Sequence, residues 1–314
     1  IAEQMQAVSS EGTACTTFAE CSELLANGED IDYNGVSGDI EFNSTGSPTS
    51  ATIGLFEYGN DNTFAPFEYI DGEVEDTGEI GPGQELVKPI PKGNGVLKVG
   101  TILPETGDLA FLGPPEFAGV DLAIKEINDA GGVLGKPVET TQADSGDGTP
   151  NIAPASADKL LNAGADVVLG AASSGVSSTF IDKVTSAGVL QISPANTSTL
   201  FDTYKDKGLY FRTAPSDVLQ GRVMAEQMLL RDGHQNVALL VRQDPYGVAL
   251  AENIKKYFEA SGGKIVAQVN YDPAAATFTA EVDELAAADP DAIVLITFDE
   301  FLKVIPAMSD AGLI

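Results

Sequence analysis

From residue 96 onward, short apolar runs alternate with longer stretches whose apolar residues recur at helical spacing. Short apolar runs bounded by turn residues are typical of buried strands, and their alternation with helices indicates parallel sheets with right-handed crossovers. The predicted strands are 96–103, 137–143, 167–171, 189–193, 209–213, 237–241, 265–271 and 293–298. The predicted helices are 114–130, 152–163, 177–187, 217–231, 248–260, 280–288 and 302–311.

The alternation stops in a short polar interval after residue 209 and restarts at residue 217. We therefore predict two doubly wound α/β lobes, the first over 96–213 and the second over 214–314. A cleft between two such lobes, closed by a hinge, is a usual position for a ligand.

Residues 1–76 have a different pattern, with helices predicted at 1–8 and 19–26. Strands are predicted at 35–42 and 51–58, joined by the turn 43–46, and a further strand at 67–70. Residues 77–95 are rich in glycine and proline, which predicts a linker.

Two polar loops follow predicted strands of the first lobe. Ser173 and Ser174 come after the run 167–169, and Ala195, Asn196 and Thr197 come after the run 189–192. Open α/β sheets bind ligands outside the carboxyl ends of their strands, and hydroxyl and backbone N–H groups there suit a carboxylate or a phosphate. Capping of helices by serine and threonine is the alternative reading.

Composition restricts the partners. The 314 residues carry a formal net charge of −30, which disfavours nucleic acid and anionic membrane surfaces. Residues 1–95 hold 18 acidic and two basic residues, and residues 96–314 hold the other 29 acidic and 15 basic residues. No apolar run approaches the roughly 20 residues of a membrane span. The sequence leaves open whether a native precursor carries a lipid anchor.

Cysteine and histidine are scarce. Cys15 and Cys21 are the two cysteines, and His234 is the single histidine, too few ligands for a structural zinc site. A local disulfide would imply an oxidising compartment, while two reduced cysteines are the alternative. His234 has no serine motif near it, and no glycine-rich phosphate loop follows the first strand. We therefore expect no enzyme activity, no cofactor and no metal.

Several stretches carry a family resemblance, namely 100–113, 126–132, 173–175, 192–197, 211–213 and 244–247. In this order they resemble type I periplasmic binding proteins, in particular the branched-chain amino-acid receptors of ABC importers. The resemblance implies a two-lobed α/β fold and an amino acid held between the lobes.

The resemblance also implies roles for individual residues. Ser174 matches the hydroxyl that binds the ligand carboxylate, and Ala195 and Thr197 match backbone and hydroxyl contacts. Tyr246 matches an aromatic residue that packs over the ligand, and Phe298 ends a strand that faces the same cleft.

Ser173 and Asn196 are neighbouring contributors, and Leu112 stands where relatives carry an aromatic residue. Asp299 and Glu300 are fallback partners for the ligand ammonium group. Arg212 is expected to form a hinge salt bridge.

Residues 1–76 resemble the closing part of the same family, so the order looks inverted. A circular permutation, a tandem fusion and an incomplete chain would each explain this, and an intact mass would separate them. If the second-lobe loop that supplies the acidic partner is absent, we expect weak or no ligand binding.

The sequence and the family resemblance thus predict an extracytoplasmic receptor that delivers an amino acid of the branched-chain or aliphatic type to an ABC permease. A receptor for amides or urea and a self-assembling module that exchanges segments are the alternatives. A nucleotide-dependent enzyme is disfavoured by the missing phosphate loop.

Overall fold

The computed structural model describes residues 1–59, 63–74, 93–148 and 151–314. These residues separate into two compact units. Unit 1 consists of Ile1–Ser50, Val74–Thr197 and Phe201–Pro215, and unit 2 consists of Ala51–Glu73, Ser198–Leu200 and Ser216–Ile314. The predicted linker 77–95 lies outside the described residues except for its last three positions.

The strands are β1 Thr13–Cys15, β2 Ile31–Gly35, β3 Gly38–Asp39, β4 Ser50–Tyr58, β5 Phe64–Glu73, β6 Lys98–Leu103, β7 Glu139–Asp144, β8 Val167–Gly170, β9 Leu190–Ser193, β10 Tyr210–Arg212, β11 Asn236–Arg242, β12 Lys264–Tyr271 and β13 Ala292–Ile296.

The α-helices are α1 Phe18–Ala26, α2 Gly113–Asp129, α3 Ala153–Asn162, α4 Ser174–Ser178, α5 Ile181–Ser186, α6 Asp217–Glu226, α7 Pro245–Ala260, α8 Thr279–Ala287 and α9 Phe301–Asp310. Tighter or wider helical turns occur at Ala2–Gln4, Thr199–Thr203 and Gln227–Arg231.

Unit 1 is built on a five-stranded sheet with the order β10-β9-β8-β6-β7, in which every neighbouring pair is parallel. One buried cluster contains Val168 of β8, Leu160 of α3 and Val184 of α5. Another buried cluster contains Leu190 and Phe211. Phe42 packs against it, with the centroids of the Phe42 and Phe211 rings 5.2 Å apart. The predicted parallel α/β architecture is confirmed.

Unit 2 contains a three-stranded parallel sheet with β11 between β12 and β13. β11 is buried from Val237 to Arg242, as expected for a central strand covered on both faces. Leu250 and Phe258 of α7 belong to one buried cluster, and Leu285 of α8 belongs to a second.

β4 and β5 form a separate two-stranded sheet in unit 2. Arg222 of α6 donates to the carbonyl of Glu73 at 3.2 Å, and Arg231 forms an ion pair with Glu68. These contacts attach the pair of strands to α6 and to the helical turn Gln227–Arg231 that follows it.

The predicted strand 35–42 is wrong. β2 and β3 form a tight antiparallel hairpin in which Asn34 faces Asp39 and Gly35 faces Gly38. Gly38 has a φ of +101°, a conformation that only glycine adopts readily, so the chain reverses inside the predicted strand.

The predicted turn 43–46 is present. The side-chain oxygen of Asn43 accepts from the backbone N–H groups of Thr45 and Ser47 at 2.9 and 3.0 Å. The predicted helix 1–8 is reduced to the turn Ala2–Gln4.

The predicted helix 177–187 is two helices. α4 begins at Ser174, earlier than expected, because Ser173 caps it, and the chain breaks before α5 at Phe180, whose φ is −136°. The Phe180 side chain is buried in the core of unit 1, which accounts for the change of direction.

Cys15 and Cys21 form a disulfide with Cα atoms 5.4 Å apart. The bond ties β1 to α1, and both sulfur-bearing side chains are buried against Ile31. This confirms the disulfide and disposes of the alternative of two reduced cysteines.

Within the described ranges, none of the helices combines the length and the apolar character needed to cross a bilayer.

Candidate functional site

The two polar loops of unit 1 leave the same edge of the sheet. β8 and β9 are parallel neighbours, with Leu169 beside Ile192, so the chain segments after Gly170 and Ser193 start next to each other. Gly170 has a φ of +127°, and a Cβ there would lie 2.0 Å from the carbonyl oxygen of Ile102. Only glycine therefore fits where the first loop leaves the sheet.

Ser173 and Ser174 begin the short helix α4. The hydroxyl of Ser173 accepts from the N–H of Val176 at 3.4 Å, so the capping role expected for serine is present. Both serines are buried, with relative exposures of 5% and 2%. Their predicted contact with a ligand stays a prediction.

Asn196 joins the second loop to the first. Its side-chain N–H groups donate to the carbonyls of Ala171 at 3.1 Å and Ala172 at 2.8 Å. The hydroxyl of Tyr210 donates to its side-chain oxygen at 2.8 Å. Asn196 has no exposed surface, and its amide is used to hold the two loops together, so we interpret it as a positioning residue.

Ser193 reinforces the same junction. Its hydroxyl donates to the carbonyl of Ala171 at 2.7 Å and accepts from the N–H groups of Ala195 and Asn196 at 3.3 and 2.9 Å. The sequence places Ser193 both at the end of the predicted strand 189–193 and at the start of the polar loop 193–197, without predicting a ligand contact for it. Its signal was a hydroxyl at the start of that loop.

Thr197 differs from its neighbour. It is half-buried, and its hydroxyl forms no hydrogen bond with any residue that the structure describes. Ala195 is also half-buried. The loop edge of unit 1 therefore presents a threonine hydroxyl that can donate to an anionic group.

Tyr246 and Phe298 are brought together in unit 2. Tyr246 lies in the first turn of α7 and Phe298 follows β13, and their rings stack at 5.5 Å with an interplanar angle of 12°. Burial, followed by the charges of Asp217 and Asp244, raises the pKa of the Tyr246 hydroxyl above its ordinary value. The hydroxyl is therefore neutral at physiological pH.

Beneath this stack lies a buried ionic cluster that sequence reasoning missed. The Arg242 guanidinium lies 4.1 Å from the Phe298 ring centroid and forms ion pairs with Asp244 and Glu300. A second oxygen of Glu300 accepts from the N–H of Phe298 at 2.8 Å. The available signal was an arginine that ends an apolar strand, because a buried arginine needs anionic partners.

The fallback partners for an ammonium group are therefore unequal. The Glu300 carboxylate is buried and already engaged by Arg242, whereas Asp299 is exposed.

Arg212 is buried within unit 1. It forms an ion pair with Asp202, and its Nε donates to the hydroxyl of Ser47 at 2.8 Å. Its backbone N–H donates to the carbonyl of Gly46 at 2.9 Å. These contacts fasten the turn 43–46 to the edge strand β10, a structural role.

Two carboxylates, one at the end of β7 and one in the loop after it, hold the segment after β6. Asp144 accepts from Thr106, whose hydroxyl lies 2.5 Å away, and Asp147 accepts from the N–H of Asp108 at 2.7 Å. Although burial raises the pKa of Asp144, hydrogen bonds from Thr106, Gly146 and Glu105 lower it below its ordinary value. Leu112, which follows this segment, is half-buried directly before α2.

Across the described ranges, no three His, Cys, Asp or Glu side chains gather in a way that suits a metal ion.

Comparison with known proteins identifies a family. A family model described as "Periplasmic binding protein" matches residues 96–314. A Leu/Ile/Val-binding protein homolog 3 of Brucella melitensis is 30% identical over 202 residues, which are 63% of this chain and 53% of that protein. A leucine-, isoleucine-, valine-, threonine- and alanine-binding protein of Pseudomonas aeruginosa is 31% identical over 192 residues, which are 61% of this chain and 51% of that protein.

A similar solved structure is the branched-chain amino acid transporter substrate binding protein LivJ of Streptococcus pneumoniae, in complex with isoleucine. It aligns with a TM-score of 0.61 and 27% identity over 70% of this chain and 62% of that chain. The chain spans about half the length of the curated relatives it matches.

Proposed function

We propose that this chain is a non-enzymatic receptor for a branched-chain amino acid. The chain belongs to the periplasmic binding protein family and to its type I, branched-chain amino-acid receptor group. The ligand class is supported by the names of the two curated relatives and by the isoleucine complex of the solved structure. An extracytoplasmic location and an ABC permease as partner belong to the same proposal.

The observation that carries the proposal is the junction of the two loops in unit 1. Asn196 ties the segment after β9 to the carbonyls that follow β8. Thr197 is the next residue, and its hydroxyl is half-buried without a hydrogen-bond partner among the described residues. A preorganised, uncharged donor at the carboxyl ends of parallel strands suits a ligand carboxylate.

The surroundings favour a zwitterion over a free anion. The described segments place no Lys or Arg hydrogen bond or ion pair in the 193–197 loop. A zwitterion, which carries no net charge, is less costly to desolvate than an anion with no cationic partner.

Isothermal titration calorimetry on this chain tests the proposal. L-leucine, L-isoleucine and L-valine should bind more tightly than 3-methylbutylamine, which lacks the carboxylate. We expect Thr197→Val to weaken binding about tenfold or more, since a hydrogen bond to a charged group contributes about 1.5–3 kcal/mol. Thr140→Val is the matched control, because Thr140 is exposed on β7.

Three results would contradict the proposal. Binding of urea or acetamide in place of the three amino acids would point to an amide receptor. Equal binding of leucine and 3-methylbutylamine, or an unchanged affinity in Thr197→Val, would show that Thr197 does not bind a ligand carboxylate.

A further inference from the structure

Unit 1 contains a cavity that none of the predicted ligand contacts lines. It lies beside the edge strand β10, between the turn 43–46 and the segment 201–211, and has a volume of about 180 Å³. This is several times the roughly 30 Å³ that one water occupies in the liquid. The space therefore suits a small organic molecule.

One wall of the cavity carries more negative than positive charge. Asp206 has a relative exposure of only 4% and accepts a hydrogen bond from the N–H of Gly208 at 2.7 Å. Within the described part of the chain, no lysine or arginine forms an ion pair with it. The nearby Asp202 is paired with Arg212, so these three groups leave one negative charge uncompensated.

Such a carboxylate is costly to bury without a cation. Accordingly, burial raises the pKa of Asp206 to about 6, although the N–H groups of Gly208 and Leu209 act in the opposite direction. A bound cation would remove this cost.

The rest of the wall is largely aromatic. Phe201, Tyr204, Tyr210 and Phe211 all line the cavity. Phe201 stacks on Tyr210 with centroids 4.7 Å apart and packs against Tyr204 at 6.1 Å. Aromatic rings beside a carboxylate favour an organic cation, because ring faces attract positive charge and the apolar part of the ligand is desolvated there.

We propose that this cavity binds a small organic monocation, such as an alkylammonium ion, with Asp206 as its counter-ion. The single uncompensated negative charge matches a monocation, and the two carboxylates disfavour anions. The site is separate from the loop edge at Thr197, and the proposal does not depend on the amino-acid receptor function.

Calorimetry with four probes of similar size tests this proposal in about 0.15 M salt, which screens the general negative charge of the protein. The probes are n-butylammonium, tetramethylammonium, 1-butanol and butyrate. At about pH 8, we expect at least one cation to bind at least tenfold more tightly than the alcohol, and butyrate not to bind. Binding of butylammonium alone would indicate hydrogen bonding by the ammonium group, and binding of both cations would indicate attraction by the rings.

The variant Asp206→Asn should lower the cation affinity at least tenfold. Asp121→Asn makes the same change of charge at an exposed position of α2 and should leave the affinity unchanged. Equal binding of cation and alcohol, or an equal effect of the two variants, would overturn the proposal.

A comparison of about pH 8 with about pH 5 needs no variant and decides the matter if Asp206→Asn does not fold. Protonation of Asp206 below its pKa of about 6 should weaken cation binding. The other groups that face it are the Asp202–Arg212 ion pair and the hydroxyls of Tyr204 and Tyr210, whose pKa values are both raised. The tyrosines stay neutral throughout this range, so unchanged affinity between the two pH values would exclude Asp206 as the counter-ion.

Discussion

Asn196 and Thr197 follow each other in the loop after β9 and have different surroundings. The Asn196 amide forms three hydrogen bonds within unit 1, to the carbonyls of Ala171 and Ala172 and from the hydroxyl of Tyr210. The Thr197 hydroxyl forms none with the described residues. At the scale of single residues, the structural role and the proposed ligand-binding role are therefore carried by neighbours.

This difference predicts opposite effects of two substitutions. Asn196→Ala removes one donor from the Ala171 carbonyl, the side-chain donor of the Ala172 carbonyl and the acceptor of the buried Tyr210 hydroxyl. We therefore expect the free energy of unfolding to fall by about 2–3 kcal/mol. Thr197→Val should change it by less than about 0.5 kcal/mol, because only a half-buried hydroxyl is replaced. Urea unfolding followed by circular dichroism measures both values, and a larger loss for Thr197→Val would reverse the two assignments.

Glu116 in the first turn of α2 provides a prediction about pH. Burial raises its pKa from 4.5 to about 7, so the folded state disfavours the charged form. The resulting stabilisation is fully present below pH 4.5 and is lost as the pH rises towards 7. In Glu116→Gln, the decrease in the free energy of unfolding between pH 4.5 and pH 7 should be smaller by about 1–2 kcal/mol than in the unmodified chain. This figure allows for the partial exposure of Glu116.

Thermal unfolding of both proteins across this pH range measures the effect. Glu252→Gln, at an exposed position of α7, is the control and should follow the unmodified chain. Parallel pH profiles for Glu116→Gln and the control would show that Glu116 is not responsible.

At the scale of elements, the ends of helices and strands depend on single side chains. Ser173 starts α4 and Asp244 starts α7, because each side-chain oxygen accepts a backbone N–H of the first turn. Arg242 ends β11 and ties the following segment to Glu300. The loops at the carboxyl ends of the strands are therefore held by caps and ion pairs.

The disulfide is the covalent tie between two elements, β1 and α1. Cys15 and Cys21 are six positions apart, and closure of so short a loop contributes about 2 kcal/mol in the chain-entropy model. We expect replacement of both by serine to lower the free energy of unfolding of unit 1 by about that amount. A reductant should produce the same loss in the unmodified chain and none in the variant, and a variant that still responds to reductant would contradict this explanation.

At the scale of the whole molecule, the formal charge of −30 sets the response to salt. Repulsion among surface carboxylates destabilises a compact state, and the Debye length falls from about 30 Å at 0.01 M to about 3 Å at 1 M salt. We therefore expect the melting temperature to rise by several degrees over this range of sodium chloride. A melting temperature that is unchanged or falls with salt would contradict the prediction.

The sequence-based predictions are accurate where residues close together in the chain decide the structure, and they fail where distant residues decide it. β8 and β11 begin and end within one residue of the predicted bounds, because each contains a continuous apolar run that is typical of a buried parallel strand. The predicted strand 35–42 fails because its alternating pattern hides a hairpin turn at Gly38. Helix 177–187 fails because burial of Phe180 overrides helical spacing.

The candidate site shows the same limit. Sequence reasoning named Ser173, Ser174, Asn196 and Thr197 because polar residues follow apolar strands. It had no means of knowing that the Asn196 amide is occupied by carbonyls more than 20 residues away. Arg242 was missed for the same reason, because it ends β11 whereas its ion-pair partner Glu300 follows β13.

The sequence by itself determined the alternation of strands and helices, the position of the polar loops and the family motifs, because these depend on neighbouring residues and on burial. Only the tertiary structure decided which loop side chains form hydrogen bonds within the protein and which acids are paired. It alone showed that Asp206 lies buried beside an aromatic cavity. Those properties depend on contacts between segments far apart in the chain, and periodicity along the chain carries no information about such contacts.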